Sequence, residues 1–220
     1  MRISKTEGLF TGLKNKMKNY QKELEKIIEE IKRTGEAPTL LLHSCCAPCS
    51  SYCLEYLSEY FKITVFYYNP NIYPESEYAL RTEEQKRLIK ELKVKNEISF
   101  LEIGFNPEEF YSAVKGLEKE KEGGARCKLC FELRLSKTAE LAKNNGFEYF
   151  CSTLTVSPHK NAQLINVIGN ELAVEYSVKW FPSDFKKRSG YLRSIELSKR
   201  YDLYRQDYCG CIYSKIKEED

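Results

Sequence analysis

Thr39-Leu40-Leu41-Leu42-His43-Ser44-Cys45-Cys46-Ala47-Pro48-Cys49 is the stretch that decides how this chain is read. Thr39–His43 is a short continuous apolar run. A strand that is apolar along its length, not at every second position, is buried on both faces, as in a parallel sheet. Cysteines follow it, at the turn where a nucleotide-binding protein of this class keeps glycines. No G-x-G-x-x-G and no phosphate loop comes after the strand, which counts against a dinucleotide-dependent dehydrogenase.

Moving outward, the same alternation repeats. A helix is expected from about Cys49 to Tyr60, a strand at Ile63–Tyr68, a helix over Glu75–Lys93, a strand at Ile98–Ile103 and a helix over Pro107–Gly116. Phe131–Asn144 reads as a helix with Gly146 just past its end. Tyr149–Leu154 reads as a fourth strand, Asn161–Leu172 as a helix and Val174–Trp180 as a fifth strand. Upstream, Lys14–Arg33 carries Tyr20, Leu24, Ile27, Ile28 and Ile31 on one helical face, and Thr34-Gly35-Glu36-Ala37-Pro38 stops it. Strands alternating with helices predict an α/β fold, a doubly wound parallel sheet. Ligands of such sheets bind beyond the carboxyl ends of the strands, where Cys45, Cys46 and Cys49 fall. The expected division is a helical extension over residues 1–37 and a single catalytic domain over 38–220, with a basic, tyrosine-rich C-terminal segment expected to be helical up to Cys209.

Hydrophobic residues make up 42% and charged residues 30%, values of an ordinary globular protein. No run approaches the roughly 18 apolar residues of a membrane span. Met1-Arg2-Ile3-Ser4-Lys5 lacks the apolar core of a signal peptide. A cytoplasmic protein with no membrane contact is expected. Cytosolic thiols stay reduced, so clustered cysteines there bind metal or carry redox chemistry. The count of nine is odd, which argues against a closed disulfide framework.

Cys45, Cys46, Cys127 and Cys130 form a four-thiolate set suited to tetrahedral zinc or to an iron–sulfur cluster. Structural zinc usually takes two C-x-x-C knuckles, whereas here one half is an adjacent pair. The separate iron corners of a cubane accommodate neighbouring cysteines more readily. Cys209-Gly210-Cys211 reads as a two-electron dithiol or as ligands of a second metal. A disulfide closed across one residue is strained and therefore labile, and Gly210 permits the tight turn. Cys49 is a candidate further ligand, while Cys53 and Cys151 read as core.

His43 is a candidate donor to the cysteine loop, and His159 opens a helix at a strand's carboxyl end, where it can contact substrate or an anion; a satisfied structural histidine is an equal reading for either. Asp184 and Asp207 are carboxylates able to bind a hard metal or to move a proton, with helix capping an equal alternative for Asp184. Lys186, Lys187, Arg188, Arg193, Lys199, Arg200 and Arg205, interleaved with Tyr191, Tyr201 and Tyr204, read either as a solvated helix face or as a nucleic-acid surface.

Five separated motifs carry a family resemblance. They are His43-Ser44-Cys45-Cys46-Ala47-Pro48-Cys49, Arg126-Cys127-Lys128-Leu129-Cys130-Phe131-Glu132-Leu133-Arg134-Leu135, Ser157-Pro158-His159-Lys160-Asn161, Asp184-Phe185-Lys186-Lys187-Arg188-Ser189-Gly190-Tyr191 and Tyr204-Arg205-Gln206-Asp207-Tyr208-Cys209-Gly210-Cys211. Together they resemble the QueH epoxyqueuosine reductases from about Leu40 to Ser214. The resemblance implies a Rossmann-like fold of the adenine nucleotide alpha hydrolase (HUP-like) kind. It also implies the last step of queuosine formation, in which epoxyqueuosine at the wobble position of a tRNA loses its epoxide oxygen. On this resemblance Cys45, Cys46, Cys127 and Cys130 ligate a [4Fe–4S] cluster, and Cys209 and Cys211 form a redox pair or hold a second iron beside it. Asp184, Asp207 and Cys49 are candidate helpers. His159, Lys160, Asn161, Lys187, Arg188 and Tyr191 are the expected substrate contacts, tRNA is the expected partner, and a separate electron donor is required. The rival readings are a tRNA thiolation enzyme of the ATP-pyrophosphatase type and a zinc-stabilised RNA-binding module.

Overall fold

The computed structural model describes residues 18–215. Five parallel strands form one sheet: β1 (Thr39–Ser44), β2 (Lys62–Tyr67), β3 (Ile98–Glu102), β4 (Tyr149–Ser152) and β5 (Lys179–Trp180), in the order β3-β2-β1-β4-β5. β1 is central and pairs with β2 from Thr39↔Lys62 to Ser44↔Tyr67 and with β4 from Leu40↔Tyr149 to His43↔Ser152. Its side chains alternate between two cores. Leu40 and Leu42 pack with Ile63, Val65 and residues of α1 (Tyr20–Thr34), α2 (Ala47–Leu57) and α3 (Glu75–Glu91). Leu41 packs with Phe66, Phe150 and residues of α5 (Ala125–Asn144) and α6 (Ala162–Tyr176). Burial on both faces is the physical reason for the unbroken apolar run. The shorter helices are α4 (Pro107–Ala113), α7 (Gly190–Arg200) and α8 (Ile212–Lys215).

α1 starts at the Asn19 cap, whose side chain accepts from the Lys22 N–H, and ends at Gly35 in the left-handed region. It buries Leu24, Ile28 and Ile31 in the same cluster as β1. The part of the expected helix before Lys18 lies outside the described residues. No described helix is long and apolar enough to cross a membrane.

Several expected boundaries are corrected. The fifth strand does not begin at Val174, because α6 runs on to Tyr176 and only Lys179–Trp180 is strand. The helix expected from Phe131 starts at Ala125, so Cys127 and Cys130 lie in its first two turns. The fourth strand stops at Ser152, and Thr153–Val156 is a 3-10 turn. The basic C-terminal segment is helical only over α7, and Tyr201–Gly210 is extended or turning.

Asn166 of α6 ties this edge together. Its Nδ2 donates to the Ala162 and Ser183 carbonyls at 2.8 and 2.7 Å, and its Oδ1 accepts from Trp180 Nε1 at 3.0 Å and the Ser183 N–H at 2.9 Å. Gly169 lets the Trp180 ring approach, since a Cβ there would stand 2.3 Å from it.

From β1 the chain moves outward to β2 and β3, then returns to β4 on β1's other side. The loops after β1 and β4 therefore part in opposite directions and open a crevice at their carboxyl ends.

Candidate active site at the switch point of the sheet

The loop after β1 is Cys45-Cys46, and α2 begins immediately beyond it with Cys46 in the N-cap position and Cys49 in the first turn. Cys45, Cys46 and Cys49 place their sulfurs all within 4.8 Å of one another. Cys45 and Cys46 stand 3.9 Å apart, and Cys46 is only 1% exposed. α5 supplies the second set. Cys127 packs against the cluster that contains Cys45 and Cys46, and the Gly123 N–H donates to its Sγ at 3.2 Å. Cys130 packs instead with Cys211 and Cys209. Thus Cys46 and Cys49 sit at the start of α2, and Cys127 and Cys130 in the first two turns of α5.

The third set arrives from the chain's other end. Cys209-Gly210-Cys211 is docked by the Tyr73 N–H donating to the Gly210 carbonyl at 2.8 Å and by an isolated bridge between Ile72 and Cys211. Gly210 is required there: its φ is +100, and a Cβ would meet Ile72 Cγ1 at 3.0 Å and Arg81 Nη1 at 3.1 Å. All nine cysteines are free thiols.

In the first and third sets one thiol takes the charge. Hydrogen bonds from Cys46 and Cys49, assisted by the Arg134 guanidinium, hold Cys45 well below the ordinary thiol range despite its burial. Cys46 is pushed up to about 12, by its bond to Cys45 and by burial, and Cys49 also rises. Cys209 is lowered by a hydrogen bond from Cys211 and, against burial, by the Lys160 charge; Cys211 rises in turn. Arg134, 3% exposed, donates Nε to the Cys130 carbonyl at 3.2 Å and Nη1 to Asn69 Oδ1 at 3.4 Å. Burial opposes its charge, but Cys130, Cys45, Cys209 and Cys127 together raise its pKa. One buried cation therefore answers thiols from all three stretches.

A cavity of about 330 Å³ opens over this centre. Cys45, Cys49 and Cys209 form its sulfur wall, Ser157, His159 and Lys160 come from the loop after β4, and Tyr191, Arg205, Gln206 and Asp207 come from the C-terminal segment. Lys160 keeps its ammonium: burial lowers its pKa, but the thiolates at Cys209, Cys45 and Cys130 more than offset this.

The expected residues divide between site and scaffold. His159, Lys160, Tyr191, Asp207 and Cys209 line the cavity. Asn161 caps α6, accepting from the Leu164 N–H at 3.1 Å. Asp184 neither lines the cavity nor caps a helix: its carboxylate pairs with Lys186 Nζ at 2.6 Å, and Ser189 holds the N-cap position of α7. Arg188 pairs with Glu25 at 2.9 Å, while Lys187 is exposed. His43 is structural. Its Nε2 donates to the Tyr68 carbonyl at 3.1 Å, so its Nδ1 accepts from Ser152 Oγ at 2.9 Å. Burial, with the Arg134 charge, lowers its pKa to about 3. Arg134 escaped the sequence reading, although its place four residues after Cys130, one helical turn on, was the available signal.

A sequence model of the family described as epoxyqueuosine reductase QueH matches residues 40–217. The chain belongs to this family. A QueH of Streptococcus pyogenes serotype M1 is 50% identical over 179 residues, 80% of this chain and 70% of that protein. One from Staphylococcus aureus is 43% identical over 216 residues, 96% and 90% of the two chains. The QueH of Thermotoga maritima is 36% identical over 83% of this chain and 93% of its own. Among solved structures, the U34-tRNA thiolase NcsA from Methanococcus maripaludis, with its [4Fe–4S] cluster, superimposes with a TM-score of 0.53 at 12% identity, covering 89% of this chain and 68% of that one. That likeness places the QueH chain in the same HUP-like α/β fold.

Proposed function

We propose that this QueH chain is an oxidoreductase that removes the epoxide oxygen of epoxyqueuosine in tRNA. Cys45, Cys46, Cys127 and Cys130 would hold a [4Fe–4S] cluster. The observation that carries the reading is the Cys45–Cys46–Cys49 sulfur triad at the end of β1, with Cys45, Cys49 and Cys209 on the wall of one cavity and the α5 thiols packed beside them, in a chain that the QueH model matches over residues 40–217. The donor set fits: soft sulfur ligands suit an iron–sulfur centre, and the thiols outnumber the four such a centre requires. When bound, the cluster supplies electrons one at a time.

The chain's own residues perform the remaining tasks. Removing an epoxide oxygen as water, leaving an alkene, takes two electrons and two protons. Lys160, an ammonium on the cavity wall, hands a proton to the departing oxygen, and Asp207 lines the same wall as a helper. His159 and Tyr191 line the same cavity and hold the modified base. Cys209 and Cys211, with Asp207 two residues earlier, are the redox pair or the ligands of a second iron; Cys49, lining the same cavity, is the further thiol available to it. Asp184 serves from outside, fixing Lys186. The anticodon loop, read as splayed and stacked nucleotides, lies along α7 and its flanks, where Lys187, Lys199 and Arg200 are exposed. A separate protein supplies the electrons, in the cytoplasm.

The deciding assay incubates reduced, iron-replete protein with epoxyqueuosine-tRNA and weighs the released nucleosides. Loss of one oxygen is expected, and Cys45→Ala or Cys127→Ala abolishes both this and the brown colour. A colourless, zinc-loaded and inactive protein refutes the proposal. Four irons per chain at full activity refutes the second metal alone.

A further inference from the structure

α3 presents Arg81 and Gln85, one helical turn apart, to the cysteine loops, and nothing so far explains them. They are 1% and 0% exposed. One end of each is accounted for. Gln85 Oε1 accepts from Ser44 Oγ and Ser50 Oγ, both at 2.8 Å, the two serines that bracket Cys45, Cys46 and Cys49. Arg81 Nε donates to Glu77 at 2.7 Å, its guanidinium lies 5.2 Å from the Tyr208 ring centre, and its Nη1 touches the space above Gly210. At the other end, Gln85 Nε2 and Arg81 Nη2 are buried with no acceptor.

An unpaired buried N–H costs about 1–3 kcal/mol, and more when charged. Native proteins leave few such groups, so two on one helix face call for a common acceptor. The loops they reach name it. Ser44 leads directly into Cys45, and Gly210 separates Cys209 from Cys211. Burial acts to lower the Arg81 pKa, yet the charge of Cys46, with Glu77 and Cys45, holds it above its usual value. The thiols of Cys45, Cys46, Cys209 and Cys211 are acceptors that those two loops carry. Hydrogen bonds to sulfur are one of the levers by which a protein sets the potential of an iron–sulfur centre.

We propose that Arg81 Nη2 and Gln85 Nε2 donate N–H···S hydrogen bonds to the sulfurs of the metal centre, the Cys46 thiolate or an inorganic sulfide. They are positioning residues. They brace the Cys45–Cys46 loop against the Cys209–Cys211 turn and make the centre easier to reduce. The proposal rests on the iron–sulfur reading, so iron content and the visible spectrum are recorded first on anaerobic protein. Absence of the cluster would sink that reading; the measurements that follow bear on this one.

Redox titrations of Gln85→Met and Arg81→Lys then measure the effect. With iron content unchanged, the one-electron reduction equilibrium should fall several-fold in each and at least tenfold in the pair, about 59 mV. Arg81→Lys keeps the charge, so a fall there reads the hydrogen bond and not the field. Unchanged potentials in fully loaded variants overturn the proposal. Should the variants fail to load, pulsed electron paramagnetic resonance on unmodified, reduced protein with only Arg and Gln side-chain nitrogens labelled with ¹⁵N decides. Resolved nitrogen couplings support the bonds, and their absence overturns them.

Discussion

Replacing Gly210 by alanine isolates what holds the C-terminal thiols in place. The backbone there has φ +100, and a Cβ would press on Ile72 Cγ1 at 3.0 Å and Arg81 Nη1 at 3.1 Å. Neither neighbour gives way easily: Ile72 is 1% exposed, and Arg81 is buried and ion-paired to Glu77. A side chain at positive φ costs about 1–2 kcal/mol. The turn is docked by the Tyr73–Gly210 hydrogen bond, the Ile72–Cys211 bridge, the Arg81–Tyr208 contact and the packing of Cys211 on Phe110 and Cys130, none of them part of the sheet. It should therefore open on its own without unfolding the sheet. A penalty of one to two kcal/mol raises its open fraction about 5- to 30-fold. Cys211, 6% exposed, reports that fraction through its alkylation rate in reduced, metal-free protein, read by mass spectrometry. The rate should rise by that factor, with Cys53, fully buried in the main core, unchanged. Gly123→Ala is the control, with φ +85 but nothing within 4 Å of the added atom and no link to the turn. An unchanged Cys211 rate in Gly210→Ala would refute the account of how the turn is docked.

Three further outcomes are expected. Asn166→Ala strands the Trp180 and Ser183 N–H donors and should lower stability by about 3 kcal/mol, seen as a lower urea midpoint at constant slope. Cys151 is buried, which pushes its thiol from 9.0 up to about 12. The unfolded chain thus releases this proton first, so the contribution is intact below pH 9 and lost as pH rises towards 12. By pH 10 the loss amounts to about 1.4 kcal/mol, and Cys151→Ala should flatten that part of the alkaline unfolding curve. Lys187→Glu with Lys199→Glu should weaken tRNA binding and reduce the slope of log affinity against log salt by about one per cation removed; identical affinity at low salt would take α7 out of the interface.

Much of this fold was legible because its signals are local. The apolar run of β1, its cysteine turn and the strand–helix alternation each follow from a short window. What escaped depends on contacts between distant residues. Val174 and Tyr176 have strand-forming side chains, yet they complete α6, with Val174 83% exposed. The glycines before Cys127 read as a break, but Gly124 is the position from which α5 starts. Arg81, Gln85 and Arg134 sit on helices rich in charge, and nothing in one sequence separates a buried guanidinium from a solvated one. The basic segment misled in the opposite sense: Lys186 is held by Asp184, two residues away, and Arg188 and Arg193 by Glu25 and Glu55, which lie near them only after folding.

The sulfurs that meet beneath the cavity leave the polypeptide near its beginning, its middle and its end. Any ion they share is consequently a rivet through three layers of chain, and its binding energy adds to the energy of folding. Exposure to air, by stripping that rivet, would first fray the tail from Arg205 onward and spoil the cavity wall, while the β-sheet behind it stayed whole. Inactivation by oxygen should therefore outrun denaturation, and iron and sulfide with reductant should restore the enzyme without refolding it.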